Sequence, residues 1–157
     1  AYFAGGCFWG IEHWFQKGMG VINVESGYMQ GETKDPTYKE VCTGKSGHAE
    51  TAKVTFDPKV IAFETLLKAF FKMHDPTQVD RQGPDIGSQY RSGVWTTSDE
   101  QAKIVDAYIK ELTESNEYDV PIATQIESAK TFYLAEEGHQ DYIETTGRAC
   151  HVTNPWE

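Results

Sequence analysis

The sequence predicts a two-layer sandwich on the border of α+β and α/β: a mixed β-sheet with helices packed on it and an irregular C-terminal tail. Three observations carry that reading. Runs of strand composition alternate with helical patterns along the chain. The strongest helical pattern, "AFETLLKAFFKMHD", places Phe63, Leu66, Leu67, Phe70 and Phe71 on one apolar stripe. The clearest strand, "AETAKVTFDP", sets Ala52, Val54 and Phe56 on one face and Lys53 and Thr55 on the other, as a half-buried strand does.

In order, residues 1–6 read as a short buried strand ending at Gly5-Gly6. A helix follows from about Phe8 to Lys17, with Gly18 and Gly20 as its stop, and then a strand that ends near Tyr28. Residues 29–49 are polar and turn-rich and predict a long surface loop holding one short helix; a loop of that length in a compact domain is often functional. The strand and the strong helix come next, closed by Asp75-Pro76. Residues 76–89 form a second long loop, and "YRSGVWTT" a strand. Ser98 is the expected N-cap of a helix from Asp99 to about Glu114, with Ile104, Val105, Tyr108, Ile109 and Leu112 inward. "PIATQIE" reads as a strand, "YLAEEGHQDYIE" as a last short helix, and the chain from Thr145 on shows no periodicity. With no repeat and no linker, residues 1–157 read as one domain; the start at Ala1 fits processing, or excision from a longer or fused chain.

The net charge of −10 argues against nucleic acid as a partner and against a polybasic membrane contact, since both want a basic face. No apolar run approaches the ~20 residues of a membrane span, and no signal peptide opens the chain, so a cytoplasmic location is expected. Cys7, Cys42 and Cys150 are too few, and odd in number, for a disulfide scaffold; any disulfide is expected to be catalytic. There is no CxxC pair and no histidine at metal-ligand spacing, so no metal is expected.

In "GGCFWG", Cys7 falls where strand, turn and helix meet. A thiol at a helix N-terminus is stabilised as the thiolate by free amide groups and the helix dipole. The glycines permit a tight turn and close approach of a substrate, and Phe8 and Trp9 wall an apolar pocket beside the sulfur. Taken locally, a small buried structural cysteine is an equal alternative. Cys150, in the aperiodic tail beside His151, reads either as a second thiol that condenses with an oxidised first one or as a bystander. Cys42 reads as a spectator packed with Val41.

"GGCFWG", "GY", "PTYKEVCTGKSGHAE" and "QGPDIGSQYRSG", with "AEEGHQDY" near the end, resemble in order and spacing the type A peptide methionine sulfoxide reductase family over essentially the whole chain. The resemblance implies an α/β sandwich with a mixed sheet. It implies an oxidoreductase that reduces methionine-S-sulfoxide, free or in proteins, to methionine, and so repairs oxidised proteins. Carried over by motif, Cys7 is the nucleophile that attacks the sulfoxide sulfur, and Glu50 the acid toward its oxygen. Tyr38 and Tyr90 are the hydroxyls that bind the oxygen, Phe8 and Trp9 hold the S-methyl group, and Asp85 contacts substrate or holds the site's hydrogen bonds. Cys150 matches the resolving cysteine, which implies a Cys7 sulfenic acid, then a Cys7–Cys150 disulfide reduced by thioredoxin or another external dithiol, with no bound cofactor. A monomer is expected, and His48 is expected to shape its loop rather than move protons. One departure is Gln30 where many members have glycine.

Two other classes compete. A cysteine hydrolase or acyl transferase would pair Cys7 with His48 or His139 but gives no role to Cys150 or the tyrosines. A binding domain would hold a methionine-like side chain between Phe8 and Trp9 without turnover.

Overall fold

The computed structural model describes residues 1–146 and 152–156. The expected alternation is present: β1 (Tyr2–Gly5), α1 (Phe8–Gln16), β2 (Val21–Met29), α2 (Tyr38–Cys42), β3 (Ala49–Phe56), α3 (Phe63–Met73), the two-residue hairpin arms β4 (Arg81–Gln82) and β5 (Asp85–Ile86), a 3-10 turn at Ser88–Tyr90, β6 (Ser92–Thr96), α4 (Asp99–Glu114), β7 (Gln125–Ser128), β8 (Tyr133–Leu134), a second 3-10 turn at Glu137–His139, and α5 (Tyr142–Thr146). Six strands form one mixed sheet in the order β7-β6-β1-β3-β2-β8. All neighbours are antiparallel except β6 and β7.

One face of the sheet presents Phe3, Val24, Ala52, Val54 and Val94 to the apolar sides of α1, α3 and α4. Phe3 lies at the centre of this core, stacked on Phe15 and Phe63 and tilted against Phe70. The other face holds Ala4, Met29, Ala49 and Trp95, covered by Ala129 and Phe132. The buried Trp95 indole donates to Thr51 Oγ1 at 3.0 Å, which satisfies its one polar atom.

The Ser98 cap forms as expected: its hydroxyl accepts from the Gln101 amide. On α4 only Val105 and Leu112 are fully buried; Ile104, Tyr108 and Ile109 pack against the same core while keeping contact with solvent. The strand β3 is buried on both faces over Ala49–Ala52 and alternates only beyond, because it lies between β1 and β2 rather than at an edge.

The expected last helix over 133–144 is corrected. Tyr133–Leu134 instead adds an edge strand, with Gly27 opposite Leu134 and Tyr28 opposite Tyr133. Helix begins only at Tyr142, after a 3-10 turn and a left-handed Asp141 (φ 51). The amide of Gln140 completes the pairing: its Oε1 accepts from the Ser26 N–H and its Nε2 donates to the Ser26 carbonyl, as a further strand residue would.

Tail residues 152–156 are anchored. The Thr153 amide donates to the Met73 carbonyl, the Trp14 indole to the Val152 carbonyl, and the Trp156 indole to the Trp14 carbonyl. Cys150 lies outside the described residues. Gln30 sits at φ 72, a conformation that favours glycine. Its side chain offsets that strain by donating to Glu127 Oε1 and the Ser128 carbonyl and accepting from the Lys130 amide.

Candidate active site

Cys7 stands where the sequence places it, as the N-cap residue of α1 and half exposed. The turn before it requires glycine. Gly6 has φ 101, and a Cβ there would come within 2.9 Å of the Gln82 side chain. A Cβ on Gly5 would meet the Phe70 ring at 2.8 Å and the half-buried His74 ring at 3.2 Å. These close contacts hold the end of β1 against α3 and fix the direction in which the cap leaves the sheet.

Glu50 comes from β3, opposite Tyr28 in the pairing with β2. It is 1% exposed. One carboxyl oxygen, Oε1, accepts the backbone N–H of Phe8, the residue directly after Cys7, at 3.2 Å. The other, Oε2, is buried and without a hydrogen-bond partner among the described residues. Burial pushes the carboxyl up to about 8; the Phe8 amide opposes that, and the nearby Asp85 adds to it. A carboxyl with one idle buried oxygen and a pKa above neutrality carries a proton there at pH 7, available to an acceptor that enters.

Tyr38 opens α2 behind a capping box between Thr37 and Glu40. Its backbone N–H donates to Glu136 Oε2 at 3.1 Å. Tyr90 closes the 3-10 turn, which the Arg91 guanidinium ties down by donating to the carbonyls of Ser88 and Gly47. Both phenols are pushed up, first by burial and then by the charge of Glu50, so they remain hydroxyl donors. Tyr90 also feels Asp85 and Cys7. Asp85 is not a lone turn residue: it pairs with Gln82 in the β4–β5 hairpin and lines a cleft with Cys7.

The rings beside the thiol are held by groups whose roles the sequence reading did not assign. Trp9 stacks on Tyr142 with centroids 3.8 Å apart, and its indole N–H donates to His139 Nδ1 at 3.2 Å. The His139 ring also lies 4.2 Å from that of Tyr38. Phe8 is buried against Tyr28, whose hydroxyl donates to Glu136 Oε1 at 2.9 Å. Glu136, His139, Gln140 and Tyr142 therefore form a strap across the rings. The signal was the "AEEGHQDY" run, too polar and too regular in its contacts for the plain helix expected of it.

His48 does shape its loop: Nδ1 accepts from the Gly31 amide and Nε2 faces the Thr33 carbonyl at 2.7 Å. With both nitrogens committed it is no base for Cys7, and His139 is engaged by Trp9, so nothing favours the hydrolase reading. Cys42 differs from expectation. Val41 turns into the core with Phe8 and Tyr28, whereas Cys42 is exposed, one helical turn from Tyr38. The described candidate residues are thus gathered around one end of α1, and Cys150 lies outside the described residues.

The profile of the family described as Peptide methionine sulfoxide reductase matches residues 1–155. The chain belongs to the peptide methionine sulfoxide reductase family. Its relatives include a Peptide methionine sulfoxide reductase MsrA of Natronomonas pharaonis, 54% identical over 144 residues, 92% of this chain and 81% of the other. Among solved structures, reduced Mxr1 from Saccharomyces cerevisiae superposes with a TM-score of 0.88 at 39% identity, over 95% of this chain and 86% of that one. Mxr1 in complex with Trx2 matches at a TM-score of 0.62 and 30% identity, over 90% and 81%. Members of this family are oxidoreductases that reduce methionine sulfoxide, and this reductase shares both their fold and their activity.

Proposed function

We propose that residues 1–157 form one catalytic domain that reduces the S epimer of methionine sulfoxide through Cys7, Glu50, Tyr38 and Tyr90. The observation that carries the reading is the idle, buried Oε2 of Glu50, held beside Cys7 by the amide of Phe8. A sulfoxide sulfur becomes electrophilic once its oxygen accepts a strong hydrogen bond or a proton. Glu50 supplies the proton, and the two phenols supply further donors aimed at the same oxygen. The Cys7 thiolate, stabilised by its N-cap position, attacks the sulfur. Oxygen passes from the substrate sulfur to Cys7, releasing methionine and leaving a sulfenic acid. The Cys150 thiol then displaces that oxygen as water and forms the Cys7–Cys150 disulfide. Thioredoxin, or another external dithiol, reduces it, so the cycle needs no bound cofactor; the solved complex of Mxr1 with Trx2 supports this partner. Phe8 and Trp9 receive the S-methyl group, and Asp85 faces the substrate. A cytoplasmic setting accords with the described helices, none of which is long and apolar enough to cross a membrane.

The test is a single turnover without reductant. Pre-reduced protein is mixed with racemic N-acetyl methionine sulfoxide; products are resolved by chiral chromatography and disulfides mapped by mass spectrometry. The expected result is about one methionine per protein, loss of the S epimer alone, and a Cys7–Cys150 bond. Cys150→Ser is expected to give about one turnover even with a thioredoxin system, because the sulfenic acid is not relayed. Methionine without the bond would remove Cys150 from the mechanism, and intact thiols without methionine would overturn the reading.

A further inference from the structure

A sulfoxide sulfur carries three substituents: the oxygen, the methyl, and the methylene that leads to the main chain. In the reading above, Glu50, Tyr38 and Tyr90 face the oxygen, and Phe8 and Trp9 the methyl. The methylene leaves by the remaining side of Cys7. There the thiol opens on a cleft of about 590 Å³, a volume in the range that holds a drug-sized ligand. Cys7 and Asp85 lie in its wall, while the rings of Phe8 and Trp9 do not. The cleft runs between the end of α3, the β4–β5 hairpin, residues 117–120 beyond α4, and the anchored tail. One side chain does not need such a space, but a chain continuing past it does.

The walls have one sign. Asp75, Asp85, Glu117 and Asp119 line the cleft against a single cation, Lys72, among the described residues. Glu117 and Asp119 are solvent-exposed and come from the segment after α4, not from the hairpin that carries Asp85. Like-signed groups around a concave space focus their field into it. We propose that this cleft receives the polypeptide flanking an oxidised methionine and selects lysine or arginine there, so that basic protein segments are the preferred substrates. The proposal rests on the reductase reading of the same site.

The test compares kcat/KM for acetyl-Lys-Ala-Met(O)-Ala-Lys-amide and its Glu-flanked counterpart, each as the S epimer, with N-acetyl methionine sulfoxide as a third substrate. At low salt the lysine peptide is expected to lead by about tenfold, and the lead to shrink as salt rises to ~0.3 M. Glu117→Gln/Asp119→Asn should reduce that ratio to about twofold. Glu64→Gln/Glu111→Gln, which removes equal charge from a separate groove between α3 and α4, should leave it. Equal rates for the two peptides, or a preference that survives the Glu117/Asp119 change, would overturn the proposal. So would an effect of that change on the KM for thioredoxin alone, which would assign the cleft to the reductant. Failure of the wild type to turn over N-acetyl methionine sulfoxide would instead sink the reductase reading, and this inference with it.

Discussion

In the proposed mechanism Glu50 is the residue on which the chemistry turns, and its neighbours make opposite demands on it. The Phe8 amide favours its anion, but burial dominates and holds the proton on to about pH 8. Glu50→Gln keeps an acceptor for Phe8 and removes the acid. Activity should fall about 10²-fold or more, with iodoacetamide still alkylating Cys7 at close to the wild-type rate. In the wild type, kcat/KM should decline as pH rises through about 8, where Glu50 loses its proton, and this alkaline limb should vanish in Glu50→Gln. Cys7→Ser should abolish turnover altogether. The motifs singled out Cys7 and Glu50 as candidates; the idle oxygen and the Phe8 hydrogen bond were not legible there, since they depend on β3 lying beside the start of α1.

At the scale of elements, α1 carries the site and the strap at 136–142 holds its rings in place. The helix places Cys7 at its cap and Trp9 on its first turn, and its later residues Glu12 and Gln16 both hold Asp141. Gln140 binds the backbone of the buried Ser26 on both its sides. Gln140→Ala leaves that N–H unpaired, a cost of about 2 kcal/mol, and should lower Tm by roughly 4–8 °C. The same change should raise KM for N-acetyl methionine sulfoxide, because the strap also fixes Trp9 through His139 and Tyr142. Steady-state kinetics beside calorimetry would show both; a fall in Tm with KM unmoved would separate the strap from the pocket. Helical periodicity misled over 133–144 because pairing with β2 outweighed local propensity.

Over the whole molecule, two buried carboxyls favour low pH, and the His74 ring and the Ala1 ammonium, pushed down by burial to about 4 and about 6, oppose them. Glu50 is raised to about 8 and Glu12 to about 7, both chiefly by burial. The folded state thus binds more protons than the unfolded state between the ordinary value of 4.5 and these pH values. The two carboxyls outweigh the opposing His74 up to its ordinary value of 6.5, and the Ala1 ammonium offsets Glu50 between about pH 7 and 8, so stability should be highest near pH 5, fall to about pH 7 and level off toward 8. Glu50→Gln should be more stable than wild type by about 3 kcal/mol at pH 7, a difference that fades toward pH 4.5. Urea titrations at several pH values would show it, and a gap independent of pH would refute the assignment. The sequence alone determined the alternation of elements, the cap at Cys7 and the glycine turn before it, and singled out Glu50, Tyr38 and Tyr90 as candidates, because these are local patterns and motifs. Only the tertiary structure decided that one Glu50 oxygen has no partner among the described residues, that Cys42 is exposed while Val41 is buried, that 133–134 is an edge strand, and that an acidic cleft opens at the thiol. Burial and facing charge arise between segments far apart in the chain, and no local pattern encodes them.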